Sequence, residues 1–109
     1  MDMNENGPIP GESSQPDKTM KFCRVSGKIT NEGMKVGFMY REEPDNGTDS
    51  GWRFLSGTET QKYINDENNS KITDIDIVAK LDPAIVPYLN RPFGTDLERV
   101  EGSDSFQVI

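Results

Sequence analysis

Alternating apolar and polar residues predict a long β-hairpin in the middle of the chain. The segment "KVGFMYR", residues 35–41, turns three side chains toward one face of a strand, namely Val36, Phe38 and Tyr40. After a polar stretch, "WRFLS" does the same with Trp52 and Phe54. The ten residues between the strands, 42–51, form a long connection. We therefore expect Trp52 to be a core residue at the start of the second strand.

Three segments in the second half of the chain predict short helices. The sequence "TETQ" has the spacing of a capping box and begins a helix predicted over 58–66. "TDIDIVAKL" carries apolar residues at helical spacing, with Ile72 just before it: Ile75, Val78 and Ala79. The dipeptide Asp82-Pro83 is a further helix start. Pro87 shortens or breaks the helix that follows, 83–89, because proline has no N–H to donate to the Pro83 carbonyl.

The remaining periodic segments predict the rest of a sheet. "MKFCRV", residues 20–25, is typical of a strand and is followed by the turn-rich "SGKITNEGM". "TDLERV" and "SFQVI", joined by "EGSD", predict a second hairpin that ends the chain. We predict an α+β fold, with an antiparallel sheet of about five strands built from two hairpins plus an N-terminal strand. Two or three short helices should cover one face of that sheet.

The first nineteen residues differ from the rest of the chain. They contain three prolines and two glycines without an apolar period, which predicts a disordered tail or linker ahead of one domain at 20–109. The tail carries a net charge of -3 and the remainder -4, for a total of -7. No basic cluster is present, which argues against nucleic-acid binding. An acidic surface favours a basic protein partner, although negative charge also simply keeps small proteins soluble.

The sequence also bears on location and on the single cysteine. The N-terminus lacks a signal-peptide pattern, and no apolar run approaches the ~20 residues of a membrane span. We expect a cytoplasmic protein without membrane association. One cysteine, Cys23, excludes an internal disulfide. Its strand context favours a small core or half-buried residue over a nucleophile, although a neighbouring arginine could lower its pKa.

Several kinds of chemistry are excluded by residues that are missing. The chain has no histidine, which removes Ser-His-Asp and Cys-His catalysis and histidine-bearing zinc sites. The loop "DNGTDSG" resembles a calcium loop. However, Gly47, Ser50 and Ser56 stand where an oxygen ligand, a glycine and a bidentate glutamate are needed. We predict no catalytic residues, no metal and no cofactor, and hence no enzyme.

A recognition surface around the long loop is the function we favour. Its tentative partner-binding residues are Tyr40, Arg41, Glu42, Glu43, Asp45, Asp49, Trp52 and Arg53. We expect Arg41 and Arg53 to lie on the face opposite the aromatic residues and to form ion pairs across the hairpin. A simpler alternative is that Tyr40 and Trp52 are buried and leave only a charged tip. A second alternative is a small-ligand-binding protein or hydrolase that uses the carboxylates of 42–49.

The same residues carry a family resemblance. The stretch from about Phe22 to Arg99 resembles a small bacterial domain family of unknown function that is also assigned to immunity proteins of polymorphic toxin systems. The resemblance rests on "EGMKVGFMYREEPDNGTDSGWRFLSGTE", "DPAIVPYL" and "FGTDLERV". It implies a non-enzymatic inhibitor that binds a toxin domain. The terminal strand "SFQVI" leaves a dimer with a second copy open.

Overall fold

The protein is described by a computed structural model over residues 21–109. The predicted tail, 1–19, lies outside the described residues. The strands are β1 (Phe22–Ser26), β2 (Phe38–Arg41), β3 (Asp49–Leu55), β4 (Ser70–Asp74), β5 (Asp96–Arg99) and β6 (Phe106–Val108). The helices are α1 (Gly27–Thr30), α2 (Gln61–Asn65) and α3 (Ile75–Leu81), with 3₁₀ helices at Glu67–Asn69 and Pro83–Tyr88. None of the helices between residues 21 and 109 has the length and apolar character needed to cross a bilayer.

The strands form one six-stranded sheet in the order β4-β1-β3-β2-β5-β6. Both predicted hairpins are confirmed, because β2 pairs antiparallel with β3 and β5 with β6. The α+β fold is confirmed as well. Two details go beyond the prediction: β1 lies parallel to β3, and β4 adds an edge strand beside β1. Both follow from pairing between segments distant in sequence, which a local pattern does not report.

The hydrophobic core lies on one face of this sheet, under α1, α3 and the second 3₁₀ helix. Trp52 is fully buried there, as predicted, and its ring stacks on that of Phe54 with 6.0 Å between the ring centroids. Its indole Nε1 donates to the Leu89 carbonyl at 3.1 Å, so its polar atom is satisfied. The other core residues are Cys23, Val25, Ile29, Val36, Met39, Ile75, Val78, Ile85, Leu97 and Phe106. The predicted helical face of α3 is confirmed.

The orientation of β2 differs from the alternation in its sequence. Met39 pairs with Phe54 and Arg41 with Trp52, so Met39 and Arg41 face the core. Phe38 and Tyr40 are half-buried on the opposite face. Val36 is buried but precedes the strand, which begins at Phe38. Its burial therefore does not show which face of β2 points to the core. We call the sheet face opposite the core the open face; its central strands carry Arg24, Tyr40, Arg53 and Leu55 there.

Local hydrogen bonds set the helix starts. α1 occupies part of the predicted turn region, where the Ser26 hydroxyl accepts from the Lys28 N–H. α2 begins after Thr60 and not after Thr58, because Thr60 Oγ1 accepts from the Tyr63 N–H at 3.1 Å. The Glu59 carboxylate, which precedes this cap, accepts a hydrogen bond from the Gly57 N–H. The predicted start at Asp82 is confirmed, with its carboxylate capping the helix that contains Pro87.

Asp82 also anchors a buried ion pair with Arg99 of β5. The exposed fractions of the two side chains are 3% for Asp82 and 11% for Arg99. Asp82 Oδ2 accepts from the Val36 N–H at 2.9 Å, and Arg99 Nε donates to the Val36 carbonyl at 2.8 Å. Arg99 Nη1 donates to the Ser103 carbonyl in the turn between β5 and β6. This Asp82–Arg99 cluster joins the 3₁₀ helix, the segment before β2 and the second hairpin.

Candidate protein-binding site

The acidic loop of the first hairpin is organised around Arg53 on the open face. The guanidinium of Arg53 bonds Asp49 through two parallel contacts, Nη1–Oδ1 at 2.9 Å and Nη2–Oδ2 at 2.8 Å. Its Nε donates to Glu42 Oε2 at 2.7 Å across the hairpin. Asp45 lies farther away, with 3.8 Å between Oδ2 and Nη2. Bidentate geometry gives such a pair directional strength, so one arginine holds both sides of the loop.

Asp49 transmits this pairing to the loop backbone. Its Oδ2 accepts from the Asp45 N–H at 2.8 Å, and its Oδ1 accepts from the Gly51 N–H at 2.9 Å. Hydrogen bonds from Arg53 hold the pKa of the Asp49 carboxyl well below its usual range, against the opposing effect of burial. The pKa of Arg53 is raised by the same hydrogen bonds. The pair is therefore fully charged at neutral pH and keeps the loop in one shape.

Gly51 allows the two strands to meet closely at the end of the loop. Its φ of +86° is a conformation that side chains rarely adopt. A Cβ at this position would lie 2.1 Å from the Glu42 carbonyl oxygen, too close for any side chain. The Glu42 N–H donates to the Gly51 carbonyl at 2.9 Å. The glycine thus places Glu42 where it reaches Arg53.

The structure separates the predicted partner-binding residues into two groups. Three acidic residues are exposed to solvent and can touch a partner directly: Glu42, Glu43 and Asp45. Tyr40 is half-buried on the open face. Four others are buried and position the loop from beneath: Arg41, Asp49, Trp52 and Arg53. The simpler interpretation of the tryptophan, as a buried anchor under a charged tip, agrees with this placement.

Arg41 and Arg53 do not share a face, and the prediction that both lie opposite the aromatic residues is wrong. Arg41 pairs with Trp52 on the core face, and its guanidinium lies 5.8 Å from the centroid of that indole ring. The centroid of the Phe93 ring lies 4.6 Å from the same guanidinium. Arg53 pairs with Tyr40 and faces the other way. The prediction fails because the hairpin register, which local alternation does not report, sets Arg41 beside Trp52 and Tyr40 beside Arg53.

Two buried groups at this site, Asp49 and Cys23, have shifted pKa values. A general acid needs a carboxyl whose pKa is raised, whereas the pKa of Asp49 is lowered. Burial raises the pKa of the Cys23 thiol to about 12, with Arg53 opposing it. Arg24 projects to the open face, so the arginine that acts on this pKa is Arg53 of β3 and not the sequence neighbour of Cys23. Within residues 21–109, no three histidine, cysteine or acidic side chains converge as a metal site would require.

Sequence reasoning missed a feature of the open face beside this loop. A cavity of about 120 Å³ lies between the sheet and α2, and we call it the Arg24 cavity. Its lining includes Arg24, Tyr40, Arg53, Leu55, Tyr63 and Asp66. A smaller depression of about 50 Å³ lies on the loop side of the same two arginines. The alternation of β1 places Arg24 opposite Cys23 and Val25, but its neighbours become known only with the sheet order.

The fold and this surface define a small α+β domain that presents an acidic loop held by ion pairs and hydrogen bonds. Residues 23–109 match the family model described as "Immunity protein Imm33 domain". The match covers most of the chain, so the chain belongs to the Imm33 immunity protein family, which confirms the resemblance found in its sequence. No match at significant similarity is found among curated proteins or solved structures.

Proposed function

We propose that this protein is an immunity protein that binds a toxin and blocks it without chemical change. The observation that carries the proposal is the acidic loop, whose buried Asp49–Arg53 pair holds exposed carboxylates in a fixed arrangement. Membership in an immunity protein family supplies the class of partner. The proposed partner is a toxin domain with a basic surface patch, in line with a net charge of -7 on this chain.

The rigidity of the loop supports binding with useful affinity. A loop that is already ordered loses little conformational freedom when a partner arrives, so more of the contact energy remains as affinity. Glu42 and Asp45 have exposed fractions of 52% and 71% while both lie close to Arg53. Their charges therefore stay hydrated enough to attract a basic partner over distance.

The experiment neutralises the three exposed carboxylates together, as Glu42→Gln, Glu43→Gln and Asp45→Asn in one variant. The binding partner to test is each protein encoded next to this gene, produced as an isolated toxin domain. Co-production of the wild-type protein should restore the growth of cells that produce the toxin domain. The triple variant should fail, with affinity reduced about 100-fold or more, because a close interfacial charge pair couples by roughly 1.5–7 kcal/mol.

A matched control removes the same charge elsewhere. The control variant combines Glu32→Gln, Asp76→Asn and Glu101→Gln, all at exposed positions outside the loop. It should protect as well as the wild type, since only the total charge has changed. If the loop variant and the control variant bind the toxin equally well, the loop is not the contact surface. If no neighbouring protein is toxic and bound, the immunity role itself is rejected.

A further inference from the structure

Arg24 differs from the other arginines of the chain. The chain has five arginines, and four of them make ion pairs, hydrogen bonds to carbonyls or cation–π contacts: Arg41, Arg53, Arg91 and Arg99. Within residues 21–109, the half-buried guanidinium of Arg24 has none of these contacts. A guanidinium has five N–H donors, and burial without partners is unfavourable. In the described part of the chain, Arg24 therefore presents unpaired N–H donors in the arrangement that binds a carboxylate.

The surroundings of Arg24 leave space for a group from outside. Across the sheet, Arg24 lies between Ile72 of β4 and Arg53 of β3. Each carboxylate oxygen of Asp49 already accepts two hydrogen bonds, one from Arg53 and one from the loop backbone, so Asp49 has no acceptor position left for Arg24. The cavity of about 120 Å³ between Arg24 and Tyr63 has room for one side chain.

The walls of the cavity determine which side chain fits. Tyr40, Leu55 and Tyr63 line it with aromatic and aliphatic surface. An incoming group therefore needs an apolar stem and an anionic end, and glutamate and aspartate have both. Two positive guanidinium groups stand side by side at the cavity, and one of them, Arg53, is already neutralised. A carboxylate would neutralise the other and form a charge-assisted, bidentate pair.

We propose that the Arg24 cavity receives one carboxylate side chain of the toxin, which forms a bidentate ion pair with Arg24. This inference rests on the proposed function, since the carboxylate belongs to the protein that the acidic loop binds. The binding surface then has two parts of opposite sign. The loop contacts basic residues of the toxin, and the open face beside it holds a single acidic residue in a pocket, where arginine is a frequent hot spot.

The first experiment tests the cavity with a small molecule on the full chain. The probe is N-acetyl-glutamate amide, titrated in the millimolar range while backbone amide shifts are followed by NMR. Saturating shifts should occur at Leu55 and Tyr63, and the isosteric N-acetyl-glutamine amide should cause none. Arg24→Gln should abolish the shifts, whereas Lys80→Gln, which removes one exposed positive charge on α3, should leave them unchanged.

Asp66 allows a further test of the cavity, because its exposed carboxylate also lines it. It already accepts from the Asn68 N–H as a helix cap, a role that asparagine retains. Asp66→Asn should tighten binding of the probe severalfold, since a like charge is removed. Absence of saturable shifts in the wild type, or equal shifts with the glutamine analogue or in Arg24→Gln, would overturn the proposal.

The second experiment separates this inference from the proposed function. Using the toxin identified above, Arg24→Gln should weaken binding about 30-fold or more, as expected for truncating one side of a buried charge pair. Arg24→Lys should recover part of the loss, because lysine restores charge but not the fork of donors. If Arg24→Gln binds as well as the wild type while the triple loop variant does not, the cavity proposal fails and the immunity proposal stands.

Discussion

Two buried aspartate–arginine pairs use the same chemistry at different distances along the chain. Asp82 and Arg99 are seventeen residues apart and bring together a 3₁₀ helix, the segment before β2 and the last hairpin. Asp49 and Arg53 are four residues apart on the same strand, and their further contacts stay within one hairpin. The first pair therefore holds distant segments in the fold, whereas the second shapes a single loop.

The two pairs therefore stabilise different parts of the molecule. Removal of a partner from the Asp82–Arg99 cluster should weaken the whole domain, because the segments it joins all pack on the core. Removal of a partner from Asp49–Arg53 should mainly loosen the loop, since the strand that carries both residues stays paired on both sides. Global unfolding reports the first loss, and local hydrogen exchange and toxin binding report the second.

The largest expected effect is that of Asp82→Ala. This change leaves Arg99 buried without its carboxylate and also frees the Val36 and Ala84 N–H groups. We expect the free energy of unfolding to fall by roughly 3–5 kcal/mol, measured by urea titration. Asp104→Ala is the control, because Asp104 also contacts Arg99 at 3.1 Å but is 81% exposed. That variant should lose no more than about 1 kcal/mol. Equal losses in the two variants would contradict the role given to burial.

The second effect is that of Asp49→Asn, which keeps the shape of the side chain but removes its charge. Glu42 still neutralises part of Arg53, so we expect a smaller loss of about 1.5–3 kcal/mol in unfolding free energy. The amides of Asp45 and Gly51 should exchange with solvent faster, because both donate to Asp49. Unchanged exchange at these two amides would show that the loop keeps its shape without this charge.

The pH dependence of this variant has a definite sign. The pKa of Asp49 is depressed in the folded state, so its contribution to stability is complete above the ordinary carboxyl value of about 3.9. That contribution is lost as the pH falls through the depressed pKa of the folded state. The gap in unfolding free energy between wild type and Asp49→Asn should therefore be constant from pH 7 to about 5 and should narrow below about 4. A gap that widens in acid would contradict the assigned shift.

The smallest expected effect on stability is that of Glu42→Gln. Its ion pair to Arg53 is short, at 2.7 Å, but the Glu42 side chain is 52% exposed. Exposed pairs contribute roughly 0.2–1 kcal/mol, so the change in unfolding free energy should fall in that range. Thermal unfolding at low and high salt checks this, since screening should shrink the difference. A loss as large as that of Asp49→Asn would make Glu42 an equal partner in the pair.

Much of the fold follows from local patterns in the sequence. Trp52, the Asp82 cap and both hairpins were predicted, because each depends on residues close together in the chain. The burial of Met39 and Arg41 was not, since both sides of β2 carry large side chains. β4 was missed because Ile72 is its single apolar residue and is 64% exposed at the sheet edge.

The candidate site was predictable in its acidic residues and not in its arginines. Four carboxylates in one loop are visible in the sequence, and Asp49 and Arg53 lie on the same side of a strand by their even spacing. The lack of a partner for Arg24 among residues 21–109 depends on which strands flank β1. That neighbourhood arises from a parallel pairing with β3, which no residue of β1 encodes by itself.

The position of β1 also orders events during synthesis of the chain. β1 is the first of the described strands to leave the ribosome, yet its sheet neighbours are β3 and β4, the latter at Ser70–Asp74. Hairpins that join nearby residues close early, whereas contacts between distant residues wait for the loss of chain entropy that they require. The strand that carries Arg24 therefore gains its second neighbour only after translation has passed residue 74.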